Sequence, residues 1–291
     1  MKRSYQVVDV FTHRPFRGNP VAVVLDADGL DEQEMQAVAG WTHLSETTFV
    51  LPPSTPMADY RLRIFTPRSE LPFAGHPTLG SAHAVLATGR AAVRANGTLV
   101  QECAMGLIEV QTAPGRGESG LALRLPPATV TELTRADITA LQQILNVEIE
   151  LDAVPAIVDV GPAWIVARLA SAAAVVDLRP DFAELARFER RLGVTGVTVF
   201  GKHDQGDADI EVRTFAPSCG VDEDPVCGSG NGSVAAFQWL RGLLPASGQH
   251  YVATQGRCVG RDGRIRIDVD GTGNVHVGGS CVTCIDGTLH V

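Results

Sequence analysis

Apolar positions at helical spacing mark two stretches of the chain, residues 31–39 (Met35, Val38, Ala39) and residues 181–192 (Leu185, Phe188, Leu192). Each opens on an acidic residue, which predicts two amphipathic helices with acidic first turns. Each is followed by a β-branched and aromatic run, Thr47-Thr48-Phe49-Val50-Leu51 or Val197-Thr198-Val199-Phe200, stopped by Pro52 or Gly201, which predicts a strand. The alternating runs Tyr60–Phe65 and 210–215 predict a second strand in each place, ended by Pro67 and Pro217. A glycine-rich turn then leads into a helix of small residues, at 78–88 in one place and 231–239 in the other. Residues 252–254, 264–269 and 274–277 read as short sheet strands, and residues 114–120 as a hairpin or linker.

The two series are one pattern written twice. Residues 31–67 recur at an offset of 150 as residues 181–217, and Ala58-Asp59-Tyr60-Arg61-Leu62-Arg63-Ile64-Phe65-Thr66-Pro67 lies over Ala208-Asp209-Ile210-Glu211-Val212-Arg213-Thr214-Phe215-Ala216-Pro217. After a three-residue insertion the register resumes, with Glu70-Leu71-Pro72-Phe73-Ala74-Gly75 over Glu223-Asp224-Pro225-Val226-Cys227-Gly228. Two large copies are a duplicated domain rather than a solenoid. The expected fold is therefore α+β, two pseudo-symmetric domains of a curled, mostly antiparallel sheet wrapped around a central helix. Their expected bounds are 1–118 and 119–277, with a strand near 278–291 able to pack back on the first half. A cleft between facing halves is the expected active site, and the residues in which the copies differ are the candidates for its chemistry.

Composition narrows the classes. A chain of 291 residues that is 45% hydrophobic and 20% charged has room for two cores. It contains no apolar run of membrane-spanning length and no export signal, so a cytoplasmic protein off the membrane is expected. A net charge of −9 without clustered Lys and Arg argues against nucleic acid as a partner. Six cysteines in such a chain read as thiols rather than a disulfide framework.

The matched turns, Ala74-Gly75-His76-Pro77-Thr78-Leu79-Gly80 and Cys227-Gly228-Ser229-Gly230-Asn231-Gly232-Ser233, each open a helix. Such turns present unpaired N–H groups and the positive end of a helix dipole, an environment suited to a carboxylate. Spacing fits neither a dinucleotide fingerprint nor a Walker loop. Glu46 has Gly196 as its counterpart, so one copy supplies a carboxylate where the other supplies nothing; it is a candidate general base, or a plain surface glutamate at a strand start. His76 and Asp224 lie at the mouths of the two turns, as ligands or as a capping histidine and a turn aspartate. Cys227 at a helix start has the makings of a carbon-acid base, but its counterpart Ala74 rules out a two-thiol mechanism. Cys281-x-x-Cys284 has no second pair and the other histidines show no ligand spacing, so no metal is expected.

Four segments carry a resemblance to the PhzF family of phenazine-biosynthesis-like isomerases. They are Phe16-Arg17-Gly18-Asn19-Pro20 with Ala22-Val23, Ser45-Glu46-Thr47-Thr48-Phe49, residues 70–80, and Glu223-Asp224-Pro225-Val226-Cys227-Gly228-Ser229. The resemblance implies a diaminopimelate-epimerase-like fold, a homodimer, and a proton shift in a small carboxylic acid without metal or coenzyme. By the same resemblance Glu46, His76 and Asp224 are catalytic and Gly75 and Ser229 bind substrate; Asn19, Ser45, Cys227 and Gly228, in the same segments, are further candidate substrate contacts. Cys227 departs from the family, which typically has threonine there, whereas related epimerases place a catalytic cysteine in that slot. Two other readings stand beside the isomerase: an amino-acid racemase or epimerase using Cys227, and a non-catalytic binding or adaptor protein.

Overall fold

The computed structural model describes residues 1–113 and 120–291. The expected boundary after residue 118, and the hairpin or linker read at 114–120 apart from Gly120, fall outside the described residues. In chain order the elements are β1 (Lys2–Val10), β2 (Asn19–Val24), α1 (Glu32–Thr42), β3 (Thr47–Leu51), β4 (Tyr60–Phe65), β5 (Glu70–Leu71), α2 (Gly75–Ala87), β6 (Thr98–Cys103), β7 (Gly106–Ala113) and β8 (Gly120–Arg124). They continue as β9 (Thr129–Glu132), α3 (Arg135–Leu145), β10 (Ala156–Asp159), β11 (Ala163–Arg168), α4 (Ala172–Asp177), α5 (Phe182–Leu192), β12 (Gly196–Lys202), β13 (Ile210–Ala216) and β14 (Val221–Asp224). The last are α6 (Gly228–Arg241), β15 (His250–Gln255), β16 (Gly263–Val269), β17 (Val275–Gly279) and β18 (Cys281–His290). The chain divides into two compact units, Met1–Leu123 with Gly278–Val291, and Arg124–Val277.

In the first unit the strands follow the order β18-β1-β2-β3-β4-β6-β7-β8, all antiparallel except the parallel pairs β2–β3 and β4–β6. The sheet curls around α2, which packs on β1, β2, β3, β4, β6 and β18. A helix so enclosed must be apolar or small all round; accordingly Leu79, Gly80, Ser81, Ala82, Ala84 and Val85 are all buried. The amphipathic α1 instead lays Met35 and Ala39 on a separate cluster with Phe49, Leu51 and Phe65. Its start carries a complete capping box between Asp31 and Glu34.

The second unit repeats this plan over seven strands. Its order is β9-β10-β11-β12-β13-β15-β16, again with two parallel pairs, β11–β12 and β13–β15, among antiparallel ones. Here α6 is the enclosed helix, and α3 and α5 cover an outer cluster that includes Leu141, Leu145, Leu185, Phe188 and Phe215. Both central helices begin three residues before the positions expected from the sequence, because the glycine turns are themselves the first helical turn. Ala74 and Cys227 are the extended N-caps, and Pro77 at the third helical position removes an N–H that would be unpaired there in any case.

One ion pair is duplicated with the fold. Arg63 on β4 grips Glu70 on β5 through two hydrogen bonds of 2.7 and 2.6 Å, and Arg213 on β13 grips Glu223 on β14 through two of 3.0 and 2.7 Å. Each guanidinium also lies over the phenylalanine two residues on, Phe65 or Phe215. Each clamp ties the chain just ahead of a glycine turn back to its strand. Their surroundings differ: Arg63 and Glu70 side chains keep 26% and 32% of their surface, Arg213 and Glu223 only 5% and 6%. Arg213 also donates to the carbonyls of Val175 and Leu178 around the end of α4. A buried pair that loses one partner leaves an uncompensated charge, whereas an exposed one is relieved by water. Urea unfolding should therefore show Arg213→Met losing about 3–5 kcal/mol and Arg63→Met no more than about 1 kcal/mol; equal losses would contradict this account.

Candidate active site

In the first unit the site is assembled by a helix pressed onto a strand. A Cβ on Gly80 would lie 2.3 Å from Val21 Cγ1 and 3.0 Å from Val10 Cγ2, so only glycine lets α2 come this close to β1 and β2. Gly18 is equally confined, since a Cβ there would stand 2.3 Å from the Val10 carbonyl oxygen, and its N–H donates to the buried Asp9. These contacts fix Asn19, wholly buried opposite Val10, and Pro20 beside the start of α2. Thr48 on β3 bonds to Ser81 on α2 at 2.8 Å and to the Ala22 carbonyl at 3.2 Å, which sets the strand that follows Glu46.

Glu46 and His76 meet in this frame. Glu46 lies just before β3, its carbonyl accepting the Ala22 N–H, and its Oε2 is 3.3 Å from His76 Nε2. Burial pushes the imidazole down to about 3, against a smaller upward pull from its hydrogen bond to the Pro20 carbonyl. His76 is thus neutral at physiological pH, and the contact with Glu46 is not an ion pair. A neutral imidazole has one donor and one acceptor nitrogen; with the donor engaged by Pro20, the other nitrogen can accept a proton carried on Glu46. Ser45 is half-buried next to Glu46. Gly75 is half-buried at the first position of α2, and a Cβ there would come no nearer than 4.0 Å to its closest neighbour, Leu123. Glycine is therefore not required there to relieve a clash.

The second unit gathers Asp224, Cys227, Gly228 and Ser229 at the start of α6. Asp224 ends β14 and accepts the Val226 N–H at 2.9 Å, the local turn bond open to any aspartate at this place. Desolvation nonetheless raises its carboxyl to about 6; its own hydrogen bonds, including one from the Cys227 thiol, oppose the rise and the neighbouring Glu223 adds to it. The Cys227 sulfur caps α6 by accepting the Gly230 N–H at 3.3 Å. The cap needs Gly230, where a Cβ would stand 2.8 and 2.9 Å from the Thr214 and Thr198 hydroxyls.

Sequence reasoning passed over two residues here. Gln255, buried at the end of β15, accepts from Cys227 N–H (3.1 Å) and Asn231 Nδ2 (2.7 Å) and donates to the Asp224 carbonyl (2.9 Å), pinning both ends of the turn. Trp164 on β11 donates its indole N–H to Ser229 Oγ at 3.1 Å. Neither has a motif around it; the only signal was that each is a large polar-tipped residue on a predominantly apolar strand. Elsewhere Cys281 faces α2 with its thiol pushed up to about 12 by burial, while Cys284 lies beside Asp9. Among the described residues no three His, Cys, Asp or Glu side chains cluster as a metal site requires, and no helix is long and apolar enough to cross a membrane.

A model of the phenazine biosynthesis-like protein family, PhzC-PhzF, matches residues 8–287. The chain belongs to this family. It is 32% identical over 99% of both chains to the trans-2,3-dihydro-3-hydroxyanthranilate isomerase of Pseudomonas aeruginosa. It is 40% identical, over 98% of both, to antisense-enhancing sequence 1 of Schizosaccharomyces pombe. A Bacillus anthracis PhzF-family crystal structure superposes over the full length of both chains with a TM-score of 0.87 at 22% identity, which shows the fold. The chain stands with the isomerases of the PhzF family.

Two outcomes test this geometry. Gly80→Ala should cost about 1–3 kcal/mol through overpacking against Val21, while Gly75→Ala stays within about 1 kcal/mol of wild type; chemical denaturation measures both. Asp224 binds its proton more tightly folded, at about 6, than an ordinary aspartate near 3.8, so its contribution to stability is lost as pH rises through that window. Relative to wild type, Asp224→Asn should therefore gain about 1–3 kcal/mol between pH of about 4 and about 7.5. A pH-independent difference would mean that the carboxyl is well solvated.

Proposed function

We propose that this chain is a cofactor-independent isomerase that moves a proton, and with it a double bond, within a small carboxylic acid, using Glu46 as general acid and base. The observation that carries the reading is the pairing of Glu46 Oε2 with the uncharged His76 at 3.3 Å, in a family whose members include a named isomerase of a dihydro-hydroxyanthranilate. In the proposed step a substrate C–H bond breaks, its proton passes to Glu46, and the electron pair shifts along the conjugated system. Glu46 then delivers the proton to another carbon. Product and substrate have the same composition, so the step balances without oxidant, metal or coenzyme. A neutral histidine suits this role because its free nitrogen can accept from the protonated form of the glutamate without holding the glutamate permanently ionised.

Asp224 is the second catalytic group in this proposal, holding a substrate amino or hydroxyl hydrogen. Ser229 and the opening N–H groups of α6, with Gly228 and Cys227, take the carboxylate, and Asn19, Ser45 and Gly75 complete the substrate contacts. Cys227, already capping α6 and donating toward Asp224, acts here by positioning rather than as a base. The homodimer and cytoplasmic location expected from the sequence belong to the same proposal. The fission-yeast relative, named for antisense enhancement rather than for a reaction, supports a second reading, a non-catalytic role.

Proton NMR in deuterium oxide tests these readings, using trans-2,3-dihydro-3-hydroxyanthranilate and a panel of unsaturated and amino acids. Wild type should introduce deuterium, and Glu46→Gln should lower the rate by about 10²–10⁴-fold. Exchange that survives in Glu46→Gln and disappears in Cys227→Ser would move the chemistry to the thiol and a racemase. No exchange with any acid would favour the non-catalytic reading.

A further inference from the structure

The duplication places a second pair of side chains where the first unit has Glu46 and His76. At an offset of 150, Glu46 corresponds to Gly196, and at the later offset of 153, His76 corresponds to Ser229. A Cβ on Gly196 would lie 2.1 Å from the Phe215 carbonyl oxygen and 2.7 Å from Trp164 Cζ3, so the second unit has no room for a carboxylate side chain there. The indole ring stands against that position instead, held by the parallel pairing of Trp164 with Gly196 across β11 and β12. Its N–H reaches Ser229 Oγ at 3.1 Å. A carboxylate–imidazole pair in one copy is replaced by an indole–hydroxyl pair in the other.

That replacement settles the direction of the Ser229 hydrogen bond. An indole N–H is a donor only, so Ser229 accepts from Trp164 and its own O–H must donate elsewhere. The nearby acceptor within the unit is Cys227 Sγ, 3.6 Å away, and a thiol sulfur is a weak one. An anionic oxygen brought to Ser229 displaces so weak a partner, because charge-assisted hydrogen bonds are roughly twice as strong as neutral ones. Trp164 is itself buried, at 4% exposure, and so acts through Ser229 rather than on a ligand directly.

We propose that Trp164 is a positioning residue that holds the Ser229 hydroxyl as a donor committed to a substrate carboxylate, and thereby selects carboxylic acids over their neutral amides. This rests on the reading that Ser229 binds the substrate's carboxylate. Trp164→Phe keeps a ring against Gly196 and removes the N–H. It should raise KM for the acid about tenfold with kcat within about twofold, the pattern of lost uniform binding. Ser229→Ala should do the same, and the double variant should be no worse than Ser229→Ala alone, because both remove one interaction.

A spectroscopic readout keeps the test independent of catalysis. In ¹⁵N-labelled protein the Trp164 indole resonance, assigned by its loss in Trp164→Phe, should shift on titration with anthranilate, far less with anthranilamide, and not at all in Ser229→Ala. Thermal unfolding of both single variants checks that they fold. An unshifted indole resonance, an equal response to acid and amide, or additive KM effects would each overturn the proposal. If exchange persists in Glu46→Gln while the indole response is as described, the acid/base assignment falls and the role of Trp164 stands.

Discussion

Backbone-to-sheet contact at the start of a buried helix is the constraint on which each unit depends. In the first unit Gly80 lets α2 touch Val21, and in the second Gly230 and Gly232 bring α6 against the Thr198 and Thr214 hydroxyls and Leu125. Any side chain at these positions would lift the helix off its strand. The consequence is chemical as well as structural. With α2 seated, His76 reaches the Pro20 carbonyl and loses its charge to burial, which makes it a neutral neighbour for Glu46. With α6 seated, the Cys227 sulfur can cap the helix and its thiol can reach Asp224.

Duplication supplied two copies of this device, and the copies differ in the side chains they carry. The Arg–Glu clamp ahead of each turn survives in both, with the same two-bond geometry and the same aromatic under the guanidinium. It is partly open to water in the first unit and closed off in the second, where Arg213 also takes up carbonyls around the end of α4. The side chains aimed into the turns have changed instead. Where one copy has Glu46, the other has Gly196 with Trp164 against it; Ser229 stands in the place of His76, and Cys227 in that of Ala74, which caps nothing through its side chain. The first unit holds a group able to carry a proton beside a neutral acceptor. In the second a carboxyl with a raised pKa bonds to the Cys227 thiol, and the Ser229 hydroxyl accepts from an indole.

Burial does most of the electrostatic work in both. It drives His76 down and Asp224 up, in each case against hydrogen bonds that pull the other way. Both shifts disfavour the charged form, so His76 is uncharged and Asp224 only partly ionised near pH 6. The fixed positive character that remains belongs to the backbone N–H groups at the helix starts.

The repeated elements, the duplication and its register were legible in the chain, because strand alternation, helical periodicity and turn residues are local properties that survive copying; β1, β2, α3, α4 and the strands from β6 to β11, outside the recurring stretch, were not read. Glu46 and Cys227 stood out because the other copy has Gly196 and Ala74 in their places, and His76 and Asp224 because they lie at the mouths of the two glycine turns. Helix starts were legible only to within a turn, since a glycine-rich segment encodes a loop and a first helical turn alike until its N-cap is placed. What tertiary structure alone decided was partnership. Gln255 and Trp164 lie 28 and 65 residues from the atoms they hold, on strands whose sequence marks them only as buried. Whether Cys227 caps a helix, whether His76 is charged, and which way the Ser229 hydroxyl points depend on distances and burial created when distant strands and one helix close on each other. No local pattern carries that information.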